Sequence, residues 1–410
     1  MMKIPRIPVL SDIEVRERKI FMRIDINVPI DPETKEIIND RRIRIHAKTI
    51  KEVLDKYNPA IVLGSHQGRP GEPDFTTLEK HAELLSKYIG QEVKFVDDVM
   101  GPAAREAIRS LKPGEILLLD NLRLVSEEVI EATPEKQAIT IFVRRLAPLF
   151  DSYVNDAFAT AHRSQPSIVG FPLVLPSAAG PLFEKEISAL RRAFESFESP
   201  RIFVLGGTKV RDLLRVIENL VRYKLADRIL TAGLLAQTFL VAKGINLGER
   251  NMRYLEEKGI LPLIPRARHI LLMGAPVETP IDFKIRTDDK EIKNVGIGEI
   301  NGLIVDIGEA TTKMYSEFIR EAKIIVMRGP AGIIEDAASK TGTLRLLEAA
   351  YESKGFVLIG GGHLSSMVDE SRINSKIHVS TGGNALLLFL SGETLPALKA
   401  LELSAEMFMK

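Results

Sequence analysis

The residues best placed to do chemistry are basic side chains that follow short apolar runs in the first 170 residues. They occur in the segments FMRIDIN, VLGSHQGRP, LLLDNLRL and YVNDAFATAHR, and include His66, Arg69, Arg123 and Arg163. A guanidinium group can hold a carboxylate or phosphate through two parallel hydrogen bonds. In open α/β sheets, ligands bind at the edge where the parallel strands end. The pattern therefore predicts a site for a small, highly charged anion.

Each of these residues also has an ordinary structural explanation. Asp25 and Asn27 share a face in an extended chain and could bond to a hydroxyl and a carboxylate, but both types are common in turns. A single His or Arg in a loop is usually a solvated surface residue. Four apolar runs in this part of the chain that lead into Arg or His favour the anion site over these separate explanations.

Between residues 200 and 390 the apolar runs instead end in glycine turns, in FVLGGTK, VMRGPAG, VLIGGGH and VSTGG. Such turns let backbone amides approach phosphates, although many glycine turns are only structural. Lys209, at the predicted start of a helix, could neutralise a phosphoryl group in transfer or simply end a tight turn. The Walker, dinucleotide-binding and protein-kinase motifs are absent. An anion site and a nucleotide site in one chain predict a phosphoryl-transfer enzyme.

The elements that must position these residues alternate between strands and helices. We predict helices in 43–57, 77–90, 136–150, 183–197, 210–224 and 342–354. Short apolar runs predict strands at 20–25, 60–64, 93–96, 116–119, 152–154, 202–205, 228–230, 269–273, 303–306, 323–327, 356–359 and 377–379. Regular alternation predicts an α/β fold with two doubly wound, Rossmann-like parallel-sheet lobes.

The length of 410 residues favours two domains rather than one core. We predict an N-terminal anion-binding lobe over residues 1–180 and a helical linker, acting as a hinge, over 181–198. A nucleotide-binding lobe would follow over 199–394, with the segment 395–410 packing back on the first lobe. The stretch 276–300 is strongly charged and has no clear period.

Composition excludes several classes of function. A net charge of +1 gives no case for general nucleic-acid or membrane binding, and the absence of cysteine excludes disulfides and thiolate chemistry. We find no signal peptide and no apolar run long enough to span a membrane. These features predict a cytoplasmic enzyme with neither nucleic acid nor membrane as a partner.

The chain resembles the phosphoglycerate kinases over essentially its whole length. The matching motifs occur in the family's order: RIDINVP, RRI at 41–43, SHQGRP, NLR, YVNDAFATAHR, LGGTKV, IEN, RGPAGIIE, IGGGH and HVSTGGNA. The resemblance implies reversible phosphoryl transfer between 1,3-bisphosphoglycerate and MgADP, giving 3-phosphoglycerate and MgATP, in line and in a closed cleft. It is strongest to the archaeal branch, whose members include dimers, so a monomer or a homodimer is expected.

The resemblance also implies roles for residues at matching positions. The phosphorylated acid would be held by Asp25, Asn27, Arg42, His66, Arg69, Arg123 and Arg163. Catalytic roles at the transfer site would fall to Arg42, Lys209, Gly382 and Gly383. The nucleotide would be bound by Lys209, Glu335, Gly361, Gly362, His363 and Leu364.

Several positions depart from the family's common pattern. Gln67 stands for a leucine, Leu213 for a second lysine, and Arg328 for an asparagine. His363 stands for an aspartate near the nucleotide's Mg²⁺, and imidazole is a poor ligand for this hard cation. We therefore expect Mg²⁺ to be held mainly by nucleotide oxygens and water, with His363 contacting phosphate.

Two alternative functions are a two-lobed anion-binding protein without catalysis and an NAD-dependent dehydrogenase of a phosphorylated acid. Binding proteins of the first kind usually carry export signals. The second would want a dinucleotide glycine motif followed by an acidic residue. Neither feature is convincing in this sequence.

Overall fold

The computed structural model describes residues 4–409, which fold into two compact units. The first unit contains residues 5–187 and 394–409, and the second contains Ile4 and residues 188–393. Each unit is built on a six-stranded sheet in which all neighbouring strands are parallel. The predicted α/β fold with two parallel-sheet lobes is confirmed.

The sheet of the first unit has the strand order β3-β4-β2-β1-β5-β6. Its strands are β1 (Lys19–Arg23), β2 (Ala60–Gly64), β3 (Val93–Val96), β4 (Ile116–Leu119), β5 (Ser152–Asn155) and β6 (Ser177–Ala179). The strands β1, β2 and β4 are almost wholly buried, which explains their continuous apolar sequences. The helices are α1 (Arg41–Tyr57), α2 (Glu79–Ile89), α3 (Pro102–Ser110), α4 (Pro134–Ala138) and α5 (Ile141–Leu146).

Helix α1 shows why these segments are helical. Ile43, Ala47, Ile50 and Val53 recur at intervals of three or four residues and form its buried face. The helix ends at Asn58, whose φ of 49° is left-handed and places its N–H on the carbonyl of Leu54.

The predicted helix 136–150 is interrupted in the structure. Helix α4 ends at Ala138, and α5 begins after Thr140, whose hydroxyl accepts a hydrogen bond from the Val143 N–H. The threonine cap starts a new helix inside what reads as one amphipathic run.

Helix α6 (Pro181–Glu195) crosses from the first unit to the second, since the division falls between Ile187 and Ser188. The second sheet has the order β15-β14-β13-β7-β8-β9. Its strands are β7 (Arg201–Leu205), β8 (Arg228–Thr231), β9 (Val277–Glu278), β13 (Ile324–Arg328), β14 (Phe356–Gly360) and β15 (Ile377–Val379). A separate antiparallel sheet contains β10 (Asp282–Arg286), β11 (Ile292–Gly296) and β12 (Leu303–Ile307), with β10 in the middle.

The helices of the second unit complete its layers around the central sheet. They are α7 (Val210–Arg222), α8 (Gly233–Ala242), α9 (Glu249–Glu257), α10 (Ile264–Leu272), α11 (Glu309–Glu321), α12 (Thr341–Glu352), α13 (Gly362–Ser365) and α14 (Asn384–Leu390).

One strand prediction for this unit was wrong, and one stretch carried no prediction. The apolar run 269–273 was predicted as a strand but lies at the end of helix α10. Ile270 is fully buried there while Leu272 is 80% exposed, so only one face of this helical segment packs against the core. The charged stretch 276–300 forms strands β9, β10 and β11. Lys293 and Asn294 of β11 are exposed, so the sequence of this strand lacks the apolar run of a buried strand.

The last helix, α15 (Pro396–Phe408), belongs to the first unit. Its Ala397 N–H donates to the carbonyl of Ala161 over 3.1 Å. The Ser404 hydroxyl donates to the carbonyl of Leu175, also over 3.1 Å. The chain therefore returns to the first unit after completing the second.

Candidate active site

The loops that follow four neighbouring strands meet at one edge of the first sheet. Strands β4, β2, β1 and β5 are adjacent, and Arg23 at the end of β1 pairs with Gly64 of β2 and Asn155 of β5. The loops after these strands carry the predicted residues from Asp25 to Arg163. The parallel topology thus brings together side chains that are far apart in the sequence.

Arg23 is the buried centre of this edge, with 1% of its surface exposed. Its Nη2 lies 3.1 Å from Nδ1 of His66, and its Nε donates to the Ser167 hydroxyl over 2.9 Å. The Ser167 hydroxyl in turn donates to the buried carboxyl of Glu128. Burial raises the pKa of Glu128, and the nearby charge of Arg23 opposes that rise.

His66 is held as a neutral imidazole with a defined proton. Burial, followed by the charge of Arg23, lowers the pKa of His66 well below its ordinary value. Because a guanidinium can only donate, Nδ1 of His66 accepts the bond from Arg23. The ring proton is therefore on Nε2, which makes His66 a hydrogen-bond donor to an anion.

Asp25 pairs with Arg42 beside this network. The Nη1 of Arg42 lies 2.5 Å from Oδ2 of Asp25, and the Asp25 side chain is 3% exposed while that of Arg42 is 38% exposed. Burial disfavours the charged carboxylate, but nearby positive charge, chiefly that of Arg42, lowers the pKa of Asp25 to about 2. Asp25 therefore stays ionised at neutral pH and orients Arg42.

Asn27 and Gln67 fasten two of the loops to each other. The side-chain oxygen of Asn27 accepts from the Gly68 N–H over 3.0 Å. The buried amide of Gln67 accepts from the N–H of Val28 and donates to its carbonyl, each over 3.0 Å. Gln67 also bonds His81 at 3.2 Å, so the departure from leucine supplies a polar clamp.

Three arginines line a cavity of about 330 Å³ next to this clamp. They are Arg69, Arg123 and Arg163, and the same cavity is lined by Glu131 and Gln165. Arg163 forms an ion pair with Glu131 at 2.8 Å, and Arg123 donates to the carbonyl of Gly68. Burial, together with the repulsion of the neighbouring arginines, lowers the pKa of Arg123 to about 10. Since Arg123 remains charged at neutral pH, the cavity is electropositive.

In the second unit, glycine turns follow the strands β7, β13 and β14. A Cβ at Gly206 would lie 2.3 Å from the carbonyl oxygen of Pro330, so only glycine allows these turns to approach so closely. Lys209 precedes helix α7, and its Nζ donates to the side-chain oxygen of Asn384 over 3.0 Å. This bond places Lys209 beside the turn that contains Gly382 and Gly383.

A pocket of about 290 Å³ opens beside the same glycine turns. Its wall is mainly apolar, with Leu234, Tyr254 and Phe283 among the residues that form it, and it also includes Glu335 and His363. Such a pocket suits a flat base with a polar group at its mouth. Leu364, in contrast, is 1% exposed and packs in the core, so only its backbone can reach a ligand.

Gly361 lies between strand β14 and helix α13, with a left-handed φ of 100°. Gly362 begins helix α13. Gly382 donates its N–H to the Ser380 hydroxyl over 3.0 Å, which fixes the turn before Gly383. Within residues 4–409, no group of three or more acidic or histidine side chains is arranged to hold a metal ion.

Sequence reasoning did not single out several residues that organise these sites. Glu128 and Ser167 carry no motif of their own, and they meet Arg23 only through folding. Tyr254 and Phe283 line the second pocket from elements far from the glycine turns. Arg23 is different, because it lies in the motif RIDINVP and inside the predicted strand 20–25. A basic residue within an apolar strand is a signal that could have identified it.

The fold and its two sites define a two-lobed α/β protein with an arginine-lined cavity on one unit and a mainly apolar pocket beside glycine turns on the other. The phosphoglycerate kinase family model matches residues 10–393. The phosphoglycerate kinase of Sulfurisphaera tokodaii is 58% identical over 400 residues, which cover 97% of this chain and 96% of that protein. That of Saccharolobus solfataricus is 56% identical, with 97% of each chain covered. The crystal structure of phosphoglycerate kinase from Pyrococcus horikoshii OT3 is similar with a TM-score of 0.89 and 40% identity, covering 98% of this chain and 100% of that one.

The chain therefore belongs to the phosphoglycerate kinase family. It is a glycolytic kinase whose chemistry uses ATP and ADP, and the resemblance seen in the sequence is confirmed. The family does not support the two alternatives, a non-catalytic binding protein and an NAD-dependent dehydrogenase. Among residues 4–409, no helix combines the length and the hydropathy that a membrane crossing demands.

Proposed function

We propose that the first unit binds 3-phosphoglycerate or 1,3-bisphosphoglycerate and that the second binds MgADP or MgATP. The observation that carries this proposal is the cavity lined by Arg69, Arg123 and Arg163. Three guanidinium groups face one small space with a single carboxylate, Glu131, among the residues around them. A phosphate group would relieve their mutual repulsion and accept bidentate hydrogen bonds.

The glycerate part of the acid would lie towards Asp25, Asn27 and His66. Asp25 and the side-chain amide of Asn27 can bond a hydroxyl and a carboxylate, and His66 offers its Nε2–H to an oxygen of the acid. Arg42, oriented by Asp25 at 2.5 Å, would then face the carboxylate that accepts the phosphoryl group.

The chemistry needs charge neutralisation and alignment rather than a general base. The acceptor is a carboxylate, which is already ionised at neutral pH, so no proton must be removed. Arg42 would stabilise the moving phosphoryl group from the acid side and Lys209 from the nucleotide side. The amides of Gly382 and Gly383 lie beside Lys209 through its bond to Asn384 and would line the same group.

The nucleoside would occupy the pocket of about 290 Å³, with Glu335 at its mouth bonding the ribose. Gly361, Gly362 and the backbone of Leu364 would supply amides to the phosphates, and His363 would contact them from the pocket wall. Mg²⁺ would enter with the nucleotide and be held mainly by phosphate oxygens and water, which suits its preference for oxygen ligands.

The experiment is a coupled assay of ADP formation from MgATP and 3-phosphoglycerate, combined with calorimetric binding of each ligand alone. Arg163→Met should weaken 3-phosphoglycerate binding roughly 10- to 100-fold through the loss of charged hydrogen bonds and leave MgADP binding unchanged. Glu335→Gln should do the reverse, with a smaller effect. Arg109→Met is the matched control, since Arg109 is an exposed arginine on α3 paired only weakly with Glu106 at 3.8 Å.

Loss of both ligands in either variant, or loss of neither, would contradict the assignment of one ligand to each unit. In-line transfer in a closed cleft, a cytoplasmic location and a state of monomer or homodimer stay predictions.

A further inference from the structure

His46 lies on helix α1, four residues after Arg42, and is buried. Residues four apart on a helix share a face, and both of these side chains reach the chain that follows β1. Nη1 of Arg42 lies 2.5 Å from the carboxylate of Asp25, and Nε2 of His46 lies 3.1 Å from the backbone nitrogen of Asp25. One helix face therefore holds Asp25 twice, by its side chain and by its N–H.

The two hydrogen bonds of His46 define where its ring proton lies. A backbone N–H can only donate, so Nε2 accepts the bond from Asp25. Nδ1 lies 3.2 Å from Oδ2 of Asp156, and a carboxylate oxygen accepts, so the proton is on Nδ1. His46 is thus a neutral imidazole in the opposite tautomer to His66. A second proton, on Nε2, would face the Asp25 N–H with another donor.

Asp156 fixes the orientation of this ring from the other side. It is fully buried directly after strand β5. Its Oδ1 accepts the N–H of Leu182 over 2.7 Å, in the first turn of α6, and its Oδ2 accepts the Thr49 hydroxyl over 2.6 Å. A Cβ at Gly180 would lie 2.5 Å from Oδ1, so the backbone before α6 packs closely against the carboxylate. Asp156 is therefore a rigid support for the imidazole.

The position of Asp25 in turn determines the position of Arg42. Oδ1 of Asp25 accepts the N–H of Asn27 over 3.2 Å, and Nη1 of Arg42 also donates to the Asn27 carbonyl over 3.3 Å. The Arg42 side chain is 38% exposed, so these bonds orient a guanidinium group that is otherwise partly in solvent. A displacement of about 1 Å in a group that acts on the reacting atoms can cost on the order of 100-fold in rate.

We propose that His46 is a positioning residue for phosphoryl transfer, whose neutral imidazole holds the backbone of Asp25 and thereby aims Arg42 at the acceptor carboxylate. Both ring nitrogens are used within the protein, so His46 acts through Asp25 and Arg42 rather than on a ligand. The inference rests on the proposed role of Arg42 at the transfer site.

The test is a double-mutant cycle on kcat with His46→Ala and Arg42→Ala. His46→Ala alone should lower kcat roughly 10- to 100-fold and change the dissociation constant of MgADP by less than about twofold. In the Arg42→Ala background the same substitution should lower kcat by less than about threefold, because the group that His46 positions is already gone. A structural defect would instead lower kcat equally in both backgrounds.

Two further variants separate positioning from stability. His46→Gln keeps one donor and one acceptor and should recover most of the lost kcat. Ile50→Val is the matched control, because Ile50 is a fully buried core residue on the same helix without a hydrogen bond to the site. It should lower the melting temperature while kcat stays unchanged.

Nitrogen NMR of wild-type protein labelled at its histidine rings tests the tautomer directly, with His46→Gln used to assign the signal. The proton of His46 should be on Nδ1 at pH 7, and a proton on Nε2 would overturn the inference. Equal losses of kcat in both backgrounds, wild-type kcat in His46→Ala, or a His46→Gln enzyme no faster than His46→Ala would also overturn it and leave the proposed function intact. Wild-type kcat in Arg42→Ala would overturn the inference together with the proposed role of Arg42.

Discussion

The buried carboxylate of Asp25 makes the unfolding free energy of the protein depend on pH, and the size of this effect follows from its pKa. In the folded protein Arg42 and its cationic neighbours lower the pKa of Asp25 from 3.8 to about 2, despite the opposing effect of complete burial. Almost two pKa units correspond to about 2 kcal/mol of differential stabilisation of the ionised form. A lowered pKa means that this contribution is fully present above the unfolded value of 3.8. It is lost as the pH falls through 2.

The perturbation is Asp25→Asn, which cannot titrate, and the assay is denaturant unfolding of both proteins from pH 6 to pH 2.5. The difference in unfolding free energy between wild type and variant should shrink by roughly 1–2 kcal/mol over this range, because at pH 2.5 Asp25 is almost fully protonated in the unfolded chain but still mostly ionised in the folded one. Repeating the comparison in an Arg42→Met background should give a smaller change, because the nearest cation is gone.

The control for this series is Glu14→Gln. Glu14 is an exposed carboxylate, 83% accessible and paired with Arg18 at 3.1 Å, and its removal should change the unfolding free energy by less than about 1 kcal/mol. A difference between wild type and Asp25→Asn that stays constant with pH would refute the reasoning, because it would mean that Asp25 has the same pKa in the folded and unfolded states.

Three further substitutions test the sites. Arg42→Ala should lower kcat about 100-fold or more while the dissociation constant of MgADP stays within about twofold, because its charge acts on the moving phosphoryl group; undiminished kcat removes it from the transfer site. Glu131→Gln, which frees Arg163 and removes a negative charge from the anion cavity, should tighten 3-phosphoglycerate binding severalfold in calorimetry, and weaker binding contradicts this. Gln67→Leu should lower the unfolding free energy by about 2 kcal/mol, because Val28 and His81 lose their partners. Unchanged denaturation by guanidinium would show that the clamp is dispensable.

The parallel sheets were predictable because their central strands are buried on both faces. Strands such as β2 and β13 appear in the sequence as continuous apolar runs between polar turns. This pattern is typical of a strand that is buried on both faces. The run 269–273 shows the limit of this reasoning. A few apolar residues at the end of a helix look the same in sequence, and only the fold reveals that Leu272 is exposed.

Strand β12 was predicted from the run 303–306, but β10 and β11 of the same antiparallel sheet escaped prediction for a different reason. Lys284 and Arg286 lie on the middle strand yet serve local contacts: Lys284 bonds Thr341, and Arg286 pairs with Asp336 at 2.8 Å. The middle strand does alternate, with buried Phe283 and Ile285 between charged residues, but it has only five residues, and the exposed Lys293 and Asn294 of β11 give no such pattern beside it.

For the binding sites, the sequence indicates the residues at strand ends but not the contacts that set their chemistry. His66 is recognisable as a candidate, but its tautomer depends on Arg23, and Arg23 depends on Ser167, which is 144 residues away in the chain. The roles of the individual site residues stay predictions until they are measured.

The position of helix α15 at the end of the chain determines the order in which the two units are completed during synthesis. The second unit is complete once residue 393 has been made, whereas the first unit still lacks the helix that begins at Pro396. That helix holds Ala161, two residues before Arg163, through the Ala397 N–H. A growing chain therefore contains the whole second unit before it contains the helix that anchors the loop before Arg163. The part of the protein that is synthesised first is the part that is completed last.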